Sequence, residues 1–307
     1  MLGKRDETMK MLVTGGAGAI GAYVVAELVS HGIDGTILDL SPPTKMVEGV
    51  DFVQCDLMDL EATIATVKGY DVVVHLAAIP HPYNDPDDRV MSVNMVTCFN
   101  VLEAVRLNGI RRIVYGCSES STGFGIHNVE LVPLYLPIDE LHPCWPHETY
   151  SFTKRFGEMM VENYARAYDI EAISLRYCWV WVERDREGIQ RIVDAGLRGD
   201  AAARPWFGCY VAPHDVAQAV RLSARYEFPA GQAMDFEAFY ITADTIYLPI
   251  PTLQALGAHF DPMPEIRDTA YFTDKPKATL FDCRKAKRLL GFQPALDWRT
   301  FAQWPKP

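Results

Sequence analysis

The chain has 307 residues, a formal net charge of −11, and 49% hydrophobic against 22% charged residues. This is an ordinary globular composition with ample material for a core, and the acidic balance argues against a general nucleic-acid binder, which needs clustered Lys and Arg. No apolar run approaches the roughly 20 residues that span a membrane, so we expect neither a nucleic-acid nor a membrane partner.

A strand, a glycine-rich turn and a helix follow a polar start. Residues 1–9 carry no apolar signal region and are expected to be a loose leader. Residues 11–13 are apolar, glycines then recur three apart, and residues 22–29 have helical spacing. Glycines let a backbone approach a ligand closely, and free N–H groups at a helix start favour an anion. The predicted phosphate-binding turn comprises Gly15, Gly18, Ala19, Ile20 and Gly21.

A second predicted strand, residues 35–40, ends in the acid Asp39. It lies about 20 residues beyond the turn, where a dinucleotide-binding fold places its ribose-binding carboxylate. Asp39 would accept hydrogen bonds from the adenosine 2′ and 3′ hydroxyls and repel a 2′-phosphate. No Arg or Lys follows before Lys45. The predicted cofactor is therefore NAD rather than NADP, and the alternative is a solvated turn aspartate.

Three further strands are predicted at residues 50–57, 70–78 and 111–118, with a helical pattern at 94–105. Alternating strands and helices predict an α/β fold, a Rossmann-type doubly wound parallel sheet with right-handed crossovers. Ligands of such sheets bind at the carboxyl ends of the strands. Asp56 and Leu57 are candidates for the adenine, and Leu76, Ala77 and Ala78 for close approach to the cofactor. Each could equally be a plain strand end.

Acid–base chemistry is predicted further along the chain, where Tyr150 and Lys154 open a helix that continues through residues 155–168. The two side chains are one turn apart on one face. An ordinary tyrosine, with a pKa near 10, is a poor base at neutral pH. A nearby ammonium group would lower the pKa of Tyr150 towards the working range, and Lys154 could also donate to the nicotinamide ribose. Ser118, at the end of a neighbouring strand, could polarise the substrate oxygen.

Taken in this order, the motifs resemble those of the extended short-chain dehydrogenase/reductases, which include NAD-dependent sugar epimerases and dehydratases. The resemblance runs from residue 10 almost to the C-terminus, on residues 14–21, Asp39, 56–57, 75–78, Asn94, Tyr150 with Lys154, 175–176, 214–217 and 286–292. It implies Tyr150 as catalytic acid/base, Lys154 as its helper and Ser118 as the substrate-polarising hydroxyl. Asn94 matches an asparagine near the family's active site, and it belongs with the predicted cofactor-binding residues. A homodimer through the helices around 94–105 and 150–168 is expected from the resemblance.

The chain departs from the family pattern at the serine strand. The family has two adjacent serines running into Tyr-Gly, whereas this chain reads Cys117-Ser118-Glu119-Ser120 and later Phe124-Gly125. Counting from the strand selects Ser118, and counting back from Phe124-Gly125 selects Ser120. The strand fixes position better than a loop of variable length, which favours Ser118.

A second departure follows Arg176, where nucleotide-sugar enzymes continue into an Asn…Gly-Pro turn and later a basic diphosphate clamp. Neither is recognisable here. The pattern is more similar to that of the uronate dehydrogenases of the same family, whose serine strand runs into a turn like residues 122–124. Residues 132–148 are longer and richer in proline than that subgroup suggests.

Several other side chains allow more than one interpretation. His142, Cys144 and His147 lack further metal ligands, and a loop beside the substrate that supplies Trp145 is favoured, so no metal site is predicted. The seven cysteines are scattered and include no C-x-x-C pair, which favours reduced thiols in a cytoplasm. Asp215 is expected to brace a helix start. A sugar platform or core is open for Trp179, Trp181 and Trp206, and a substrate-carboxylate contact for Arg184, Arg191 and Arg204.

The sequence thus predicts an NAD-binding domain over residues 10–176 and a mainly substrate-binding part over 177–307, interleaved with the last elements of the main sheet. The predicted function is an NAD-dependent oxidoreductase, with hydride transfer at a secondary alcohol or carbonyl of a sugar or sugar acid. One alternative is a nucleotide-sugar epimerase or dehydratase that reduces NAD transiently. Another is a non-catalytic NAD-binding regulatory protein.

Overall fold

Seven parallel strands form the central sheet of the protein. The computed structural model describes residues 9–81, 83, 85–124, 131–199 and 205–306. In chain order the strands are β1 Lys10–Thr14, β2 Asp34–Asp39, β3 Asp51–Gln54, β4 Val72–His75, β5 Arg112–Ser118, β6 Tyr135–Leu136, β7 Glu171–Tyr177, β8 Phe236–Ile241 and β9 Glu265–Ile266. The central sheet has the order β3-β2-β1-β4-β5-β7-β8, while β6 and β9 pair separately. The predicted doubly wound parallel sheet is confirmed.

Helices cover both faces of this sheet. They are α1 Gly21–Ser30, α2 Leu60–Val67, α3 Asp87–Leu107, α4 Thr149–Ala167, α5 Arg186–Leu197, α6 Pro213–Ala224, α7 Thr252–Gly257, α8 Thr269–Asp274 and α9 Arg284–Leu290. Side chains of α2, α3 and α4 share one apolar core with the sheet, and those of α1 and α6 share the other. The strand order turns around between β1 and β4, which is where such sheets bind ligands.

Several element bounds differ from the prediction. Helix α3 begins at Asp87 rather than near residue 94, because Pro86 precedes it and Asp87 and Asp88 suit the positive end of a helix. Strand β4 ends at His75 rather than near residue 78. The apolar run continues beyond it, but there the chain leaves the sheet to lie beside the glycine turn. Strand β3 is likewise shorter than predicted.

Among the described helices, α3 is the one that is long and apolar enough to cross a membrane, judged by length and composition alone. Half of the apolar stretch of α3 is buried inside the fold. Val101 and Leu102 of this stretch belong to the core shared with α2 and α4. The core helices of globular proteins have the same composition.

A buried ion pair fastens α4 to β7. The Glu158 carboxylate accepts two hydrogen bonds from Arg176, Nε at 2.9 Å and Nη2 at 2.7 Å. It accepts a third from Ser174 Oγ at 2.8 Å and a fourth from Arg155 Nη1 at 2.7 Å. Burial would raise the pKa of Glu158. The Arg176 guanidinium, the Ser174 hydrogen bond and the Arg155 charge outweigh this effect and lower the pKa to about 2. The pair therefore stays ionised at neutral pH and fixes the position of α4.

Glu158→Gln should lower the free energy of unfolding by about 3–5 kcal/mol, because it leaves the Arg176 guanidinium buried without a counter-charge. Urea denaturation followed by circular dichroism measures the effect. The matched control is Glu162→Gln on the same helix, which removes an exposed pair with Arg166 and should cost less than about 0.5 kcal/mol. Equal losses in the two variants would contradict this role of the buried pair.

Candidate active site

The glycine turn lies between β1 and α1 and packs against the chain just beyond β4. Gly15 has φ +69°, and a Cβ there would stand 2.7 Å from the Ala77 nitrogen. A Cβ at Gly21 would stand 2.3 Å from the Gly15 carbonyl oxygen. Gly18 is exposed, Ala19 and Ile20 are half-buried, and no side chain in the described part of the chain caps the start of α1. Backbone that excludes side chains, next to an uncapped helix start, fits the diphosphate of a dinucleotide.

Asp39 lies at the end of β2 against this turn. Its Oδ2 accepts a hydrogen bond from the Ala17 nitrogen at 3.1 Å, and Oδ1 accepts one from the Leu40 nitrogen at 2.8 Å. Each carboxylate oxygen keeps a lone pair for a further donor. A half-buried acid directly beside the glycine turn fits a ribose, which donates two hydroxyl hydrogens. The same acid disfavours a ribose that carries a 2′-phosphate.

The other predicted cofactor residues have local structural partners. Asp56 is exposed, and its Oδ1 accepts a hydrogen bond from the Met58 nitrogen. Leu57 is buried, and its carbonyl accepts a hydrogen bond from Asn100. Leu76, Ala77 and Ala78 are half-buried just beyond β4, and the Ala77 nitrogen donates to Thr14 Oγ1 at 3.3 Å. They line the same sheet edge as Gly15.

Asn94 links α3 to the segment after β4 and to α4. Its Oδ1 accepts a hydrogen bond from the Ile79 nitrogen at 2.7 Å, and its Nδ2 donates to the Ile79 carbonyl at 3.1 Å and to Thr153 Oγ1 at 3.0 Å. The amide thus holds the edge of the site in place, next to the helix that carries Tyr150.

Ser118, Tyr150 and Lys154 come together where β5 meets the start of α4, and all three are buried. The Ser118 hydroxyl lies beside the Tyr150 phenol and favours its ionised form. Lys154 Nζ donates to the Gly116 carbonyl at 2.8 Å and lies 5.7 Å from the centre of the Tyr150 ring. The ammonium has three donors, so two stay available for a ligand. The site can therefore exchange a proton with a bound hydroxyl and position a cofactor ribose.

The predicted lowering of the Tyr150 pKa by Lys154 is wrong for this arrangement. Burial raises the pKa of Tyr150, the Glu119 carboxylate raises it further, and the Ser118 hydrogen bond opposes both effects only in part. Burial also lowers the pKa of Lys154. The i, i+4 spacing places the two residues on one face, but the ammonium is directed to the Gly116 carbonyl.

Two buried acids of the site have no predicted role from the sequence. Glu148 caps α4, with its carboxylate accepting hydrogen bonds from the nitrogens of Tyr150 at 2.8 Å and Ser151 at 2.5 Å. Glu119 accepts one from Ser118 Oγ at 3.0 Å. The available signal was an acid directly after the serine at the end of a strand and another just before the tyrosine. Neither spacing indicates that the carboxylate is buried.

The serine alternatives differ in their surroundings. Ser118 Oγ donates to Glu119 and accepts from the Ser120 nitrogen at 3.1 Å. Ser120 Oγ is buried and has no hydrogen-bond partner among the described residues. Gly125, from which the alternative count begins, lies outside the described residues. The contact with Tyr150 favours Ser118, which stays the predicted hydroxyl.

The remaining candidates lie in the core, in loops or on the surface. His142 uses both ring nitrogens: one accepts from the Leu134 nitrogen and the other contacts the Pro143 carbonyl. The described residues contain no group of three or more potential metal ligands.

Trp181 is 1% exposed, so a sugar platform is wrong for it, whereas Trp179 is half-buried. Asp215 is buried, and its carboxylate accepts hydrogen bonds from the nitrogens of Ala295 and Leu296. Outside the described residues lie residues 1–8, Arg204 and the side chain of Trp206; Arg184 and Arg191 are exposed.

Comparison with known proteins gives one family and two kinds of relative. The model of the NAD dependent epimerase/dehydratase family matches residues 11–203. A putative UDP-glucose 4-epimerase of Methanocaldococcus jannaschii is 36% identical over 181 residues, 57% of this chain and 57% of the relative. A uronate dehydrogenase of Pseudomonas syringae pv. tomato is 31% identical over 173 residues, 54% of this chain and 58% of the relative. These matches span little more than half the length of each relative.

Among solved structures, MoeE5 in complex with UDP-glucuronic acid and NAD has the same fold. The TM-score is 0.68 at 23% identity, and the match covers 94% of this chain and 95% of that one. The fold therefore extends over nearly the whole chain.

Glu119 should make stability depend on pH. Burial raises its pKa from 4.5 to about 7. Between these values the folded protein keeps a proton that the unfolded chain has released, so the free energy of unfolding falls as pH rises. Glu119→Gln keeps an acceptor for Ser118 without the charge. It should raise the free energy of unfolding by up to about 3 kcal/mol above about pH 7, and change it little near about pH 4.5.

Urea denaturation of both proteins at the two pH values measures this difference. Glu162→Gln, which removes the partly exposed partner of Arg166 on α4, serves as the control. A Glu119→Gln variant that is less stable than the wild type at the higher pH would contradict the account of this carboxylate.

Proposed function

The chain belongs to the NAD dependent epimerase/dehydratase family, and we propose that it is an NAD-dependent oxidoreductase that oxidises a secondary alcohol of a sugar or sugar acid. The observation that carries the proposal is that Ser118, Tyr150 and Lys154 are buried together, at the strand edge that also bears the glycine turn. A phenol and an alcohol side by side at this edge suit a substrate hydroxyl that must lose its proton.

We assign the cofactor contacts to the residues that fit a dinucleotide. The turn at residues 15–21 would hold the diphosphate, Asp39 the adenosine ribose and Lys154 the nicotinamide ribose. Asp56 and Leu57 would lie near the adenine, and Leu76, Ala77, Ala78 and Asn94 would border the cofactor. NAD supplies the hydride acceptor when bound. Ser118 orients the substrate oxygen and Tyr150 exchanges its proton, while Lys154 fixes the geometry.

A small, unactivated substrate is supported by the chain beyond β7. Trp181 packs against Tyr210 with ring centroids 4.5 Å apart, so this segment contributes to the core. Arg186 is bonded to Glu183 and to the Phe301 carbonyl, an arrangement that does not suit a diphosphate clamp. The uronate dehydrogenase relative supports the same choice. Segments after residue 176 would form the substrate-binding part.

The second candidate is a nucleotide-sugar epimerase or dehydratase, which returns the hydride to its substrate. It is supported by the 36% identity with the putative UDP-glucose 4-epimerase. A non-catalytic NAD-binding regulator is disfavoured, because binding alone does not require Tyr150 beside Ser118.

Purified protein incubated with NAD and a panel of free sugars, uronic acids and nucleotide sugars should accumulate NADH with a free sugar or sugar acid. Tyr150→Phe should lose this activity by about 100-fold or more, because it removes the proton-exchanging hydroxyl. The absorbance of NADH is the readout, and Tyr168→Phe at the exposed end of α4 is the control. Conversion of a nucleotide sugar without net NADH would instead establish the second candidate.

Asp39→Asn should weaken NAD binding by about 10-fold or more, because a charged acceptor is lost from the ribose. It should also strengthen NADP binding relative to NAD, because the repulsion of a 2′-phosphate is reduced. Fluorescence titration gives both dissociation constants. Asp34→Asn, at the other end of β2, is the matched control and should leave both unchanged. An unaltered ratio in Asp39→Asn would refute the assigned ribose contact.

A homodimer and a cytoplasmic location complete the proposal. Helices α3 and α4 lie side by side and expose Val96 and Phe99 on one, and Phe156 and Met159 on the other. All seven cysteines are free thiols, which suits a reducing compartment.

Phe99→Asp combined with Phe156→Asp should convert the dimer to a monomer, because it places charges in an apolar interface. Light scattering after size-exclusion chromatography measures the mass. Leu141→Asp, a highly exposed residue outside these helices, should leave the dimer intact. A monomeric wild type would contradict the proposed assembly.

A further inference from the structure

We propose that Tyr115 and His75 are positioning residues that direct the Lys154 ammonium towards the nicotinamide ribose. The inference rests on the proposed contact between Lys154 and that ribose, and it concerns two buried side chains to which the proposed function gives no role. Both act through Lys154, and neither is assigned a contact with substrate or cofactor.

One row of side chains across the sheet is polar, on the face that α3 and α4 cover. Thr14 at the end of β1 is paired in register with His75 at the end of β4, and His75 is paired with Tyr115 on β5. The three are 0%, 2% and 4% exposed. Two residues earlier on each strand, the same face carries the apolar side chains of Leu12, Val73 and Ile113. Aliphatic packing therefore gives way to polar and aromatic groups in the row beside Lys154.

The Lys154 ammonium lies over the Tyr115 ring. Its Nζ atom is 5.5 Å from the centre of that ring and 5.7 Å from the centre of the Tyr150 ring, and it donates to the Gly116 carbonyl at 2.8 Å. The negative face of an aromatic ring attracts a cation at such distances, most strongly where water is excluded, and Lys154 is 7% exposed. Two rings and a carbonyl thus hold the ammonium between β5 and the start of α4.

The buried ammonium depends on these groups because its other electrostatic partners are uncharged. In the described part of the chain, the groups that favour the charged form of Lys154 are the Cys117 and Cys98 thiols rather than a carboxylate. Burial raises the pKa of both thiols, so they carry no charge at neutral pH. Without the Tyr115 ring, the flexible side chain of Lys154 would keep the Gly116 carbonyl as its contact with the sheet, which defines its direction less well.

His75 holds the Tyr115 ring from the side of the glycine turn. The ring centroids of the two residues are 6.0 Å apart at an interplanar angle of 31°. His75 Nδ1 is hydrogen-bonded to Thr14 Oγ1 at 2.8 Å, and the same oxygen accepts from the Ala77 nitrogen at 3.3 Å. Thr14 directly precedes Gly15. The row therefore begins at the glycine turn and ends at the ring that faces the ammonium.

The charge of His75 and the space beside Tyr115 both fit this role. Burial, and after it the Lys154 charge, lower the pKa of His75 to about 3, so the imidazole is neutral and does not repel the ammonium. On the helix side, a Cβ at Gly157 would stand 2.1 Å from the Tyr115 hydroxyl oxygen. The absence of a side chain at Gly157 lets the Tyr115 ring reach under α4, where it faces Lys154 one turn earlier on that helix.

Binding of ADP-ribose and of ADP tests the positioning role, since ADP-ribose adds the second ribose to the diphosphate. Calorimetric titration gives both dissociation constants, and their ratio, ADP over ADP-ribose, reports the contact with that ribose. Lys154→Met should lower the ratio by about 10-fold, because it removes the charged donor. Tyr115→Leu should lower it by about 5-fold. His75→Leu should lower it by about 3-fold, because Tyr115 loses the ring beside it.

Fluorination separates the charge of the Tyr115 ring from its shape. Tyr115→Phe keeps the ring and should keep the wild-type ratio. A phenylalanine with three ring fluorines in place of Tyr115 changes the shape little but cancels most of the negative charge of the ring face, and should lower the ratio by about 5-fold. Ile113→Ala removes buried volume from the same face of β5 and is the matched control. It should lower the free energy of unfolding and leave the ratio unchanged.

The outcomes separate the positioning role from the proposed function. A ratio lowered by Lys154→Met but unmoved by the fluorinated ring would overturn the role of Tyr115 and leave the ribose contact of Lys154 standing. A ratio unmoved by Lys154→Met would refute that contact, and the positioning role with it. A fall in Ile113→Ala equal to that in Tyr115→Leu and in the fluorinated protein would attribute the effect to packing and overturn the role as well. An unchanged ratio in His75→Leu would overturn the role of His75.

Discussion

The docking of α4 against β5 and β7 is the constraint on which the site depends. The Glu158–Arg176 pair joins α4 to β7, and Lys154 joins it to the last residues of β5 through the Gly116 carbonyl. Glu148 fixes where the helix begins. Together with the apolar core that α4 shares with the sheet, these contacts place Tyr150 beside Ser118.

The parallel sheet supplies the rest of the site. Because all seven strands of the main sheet run the same way, the glycine turn after β1, Asp39 at the end of β2 and Ser118 at the end of β5 emerge at one edge. Burial at this edge then determines proton chemistry. It raises the pKa of Tyr150 and of Glu119 and lowers that of Lys154, so every group tends towards its neutral form.

Local signals in the sequence predicted the features that depend on local chemistry. Glycine spacing and an acid at the proper distance indicated the turn and Asp39, because a tight turn and a ribose contact require particular residue types. The sequence did not reveal that Glu119 is a buried acid with a raised pKa, since burial is a tertiary property. It also gave the wrong direction for the pKa of Tyr150, because helical spacing does not determine where the Lys154 ammonium points. The end of β4 was overestimated, since an apolar run does not mark where pairing stops.

The most direct test of the central claim, that this site oxidises a sugar alcohol with NAD, is to follow the hydrogen of the carbinol carbon. A sugar or sugar acid deuterated at that carbon is incubated with the protein and NAD, and both products are analysed by mass spectrometry. The account predicts that deuterium accumulates in NADH in step with the oxidised sugar. Deuterium that stays in the sugar pool, with no labelled NADH, would contradict it.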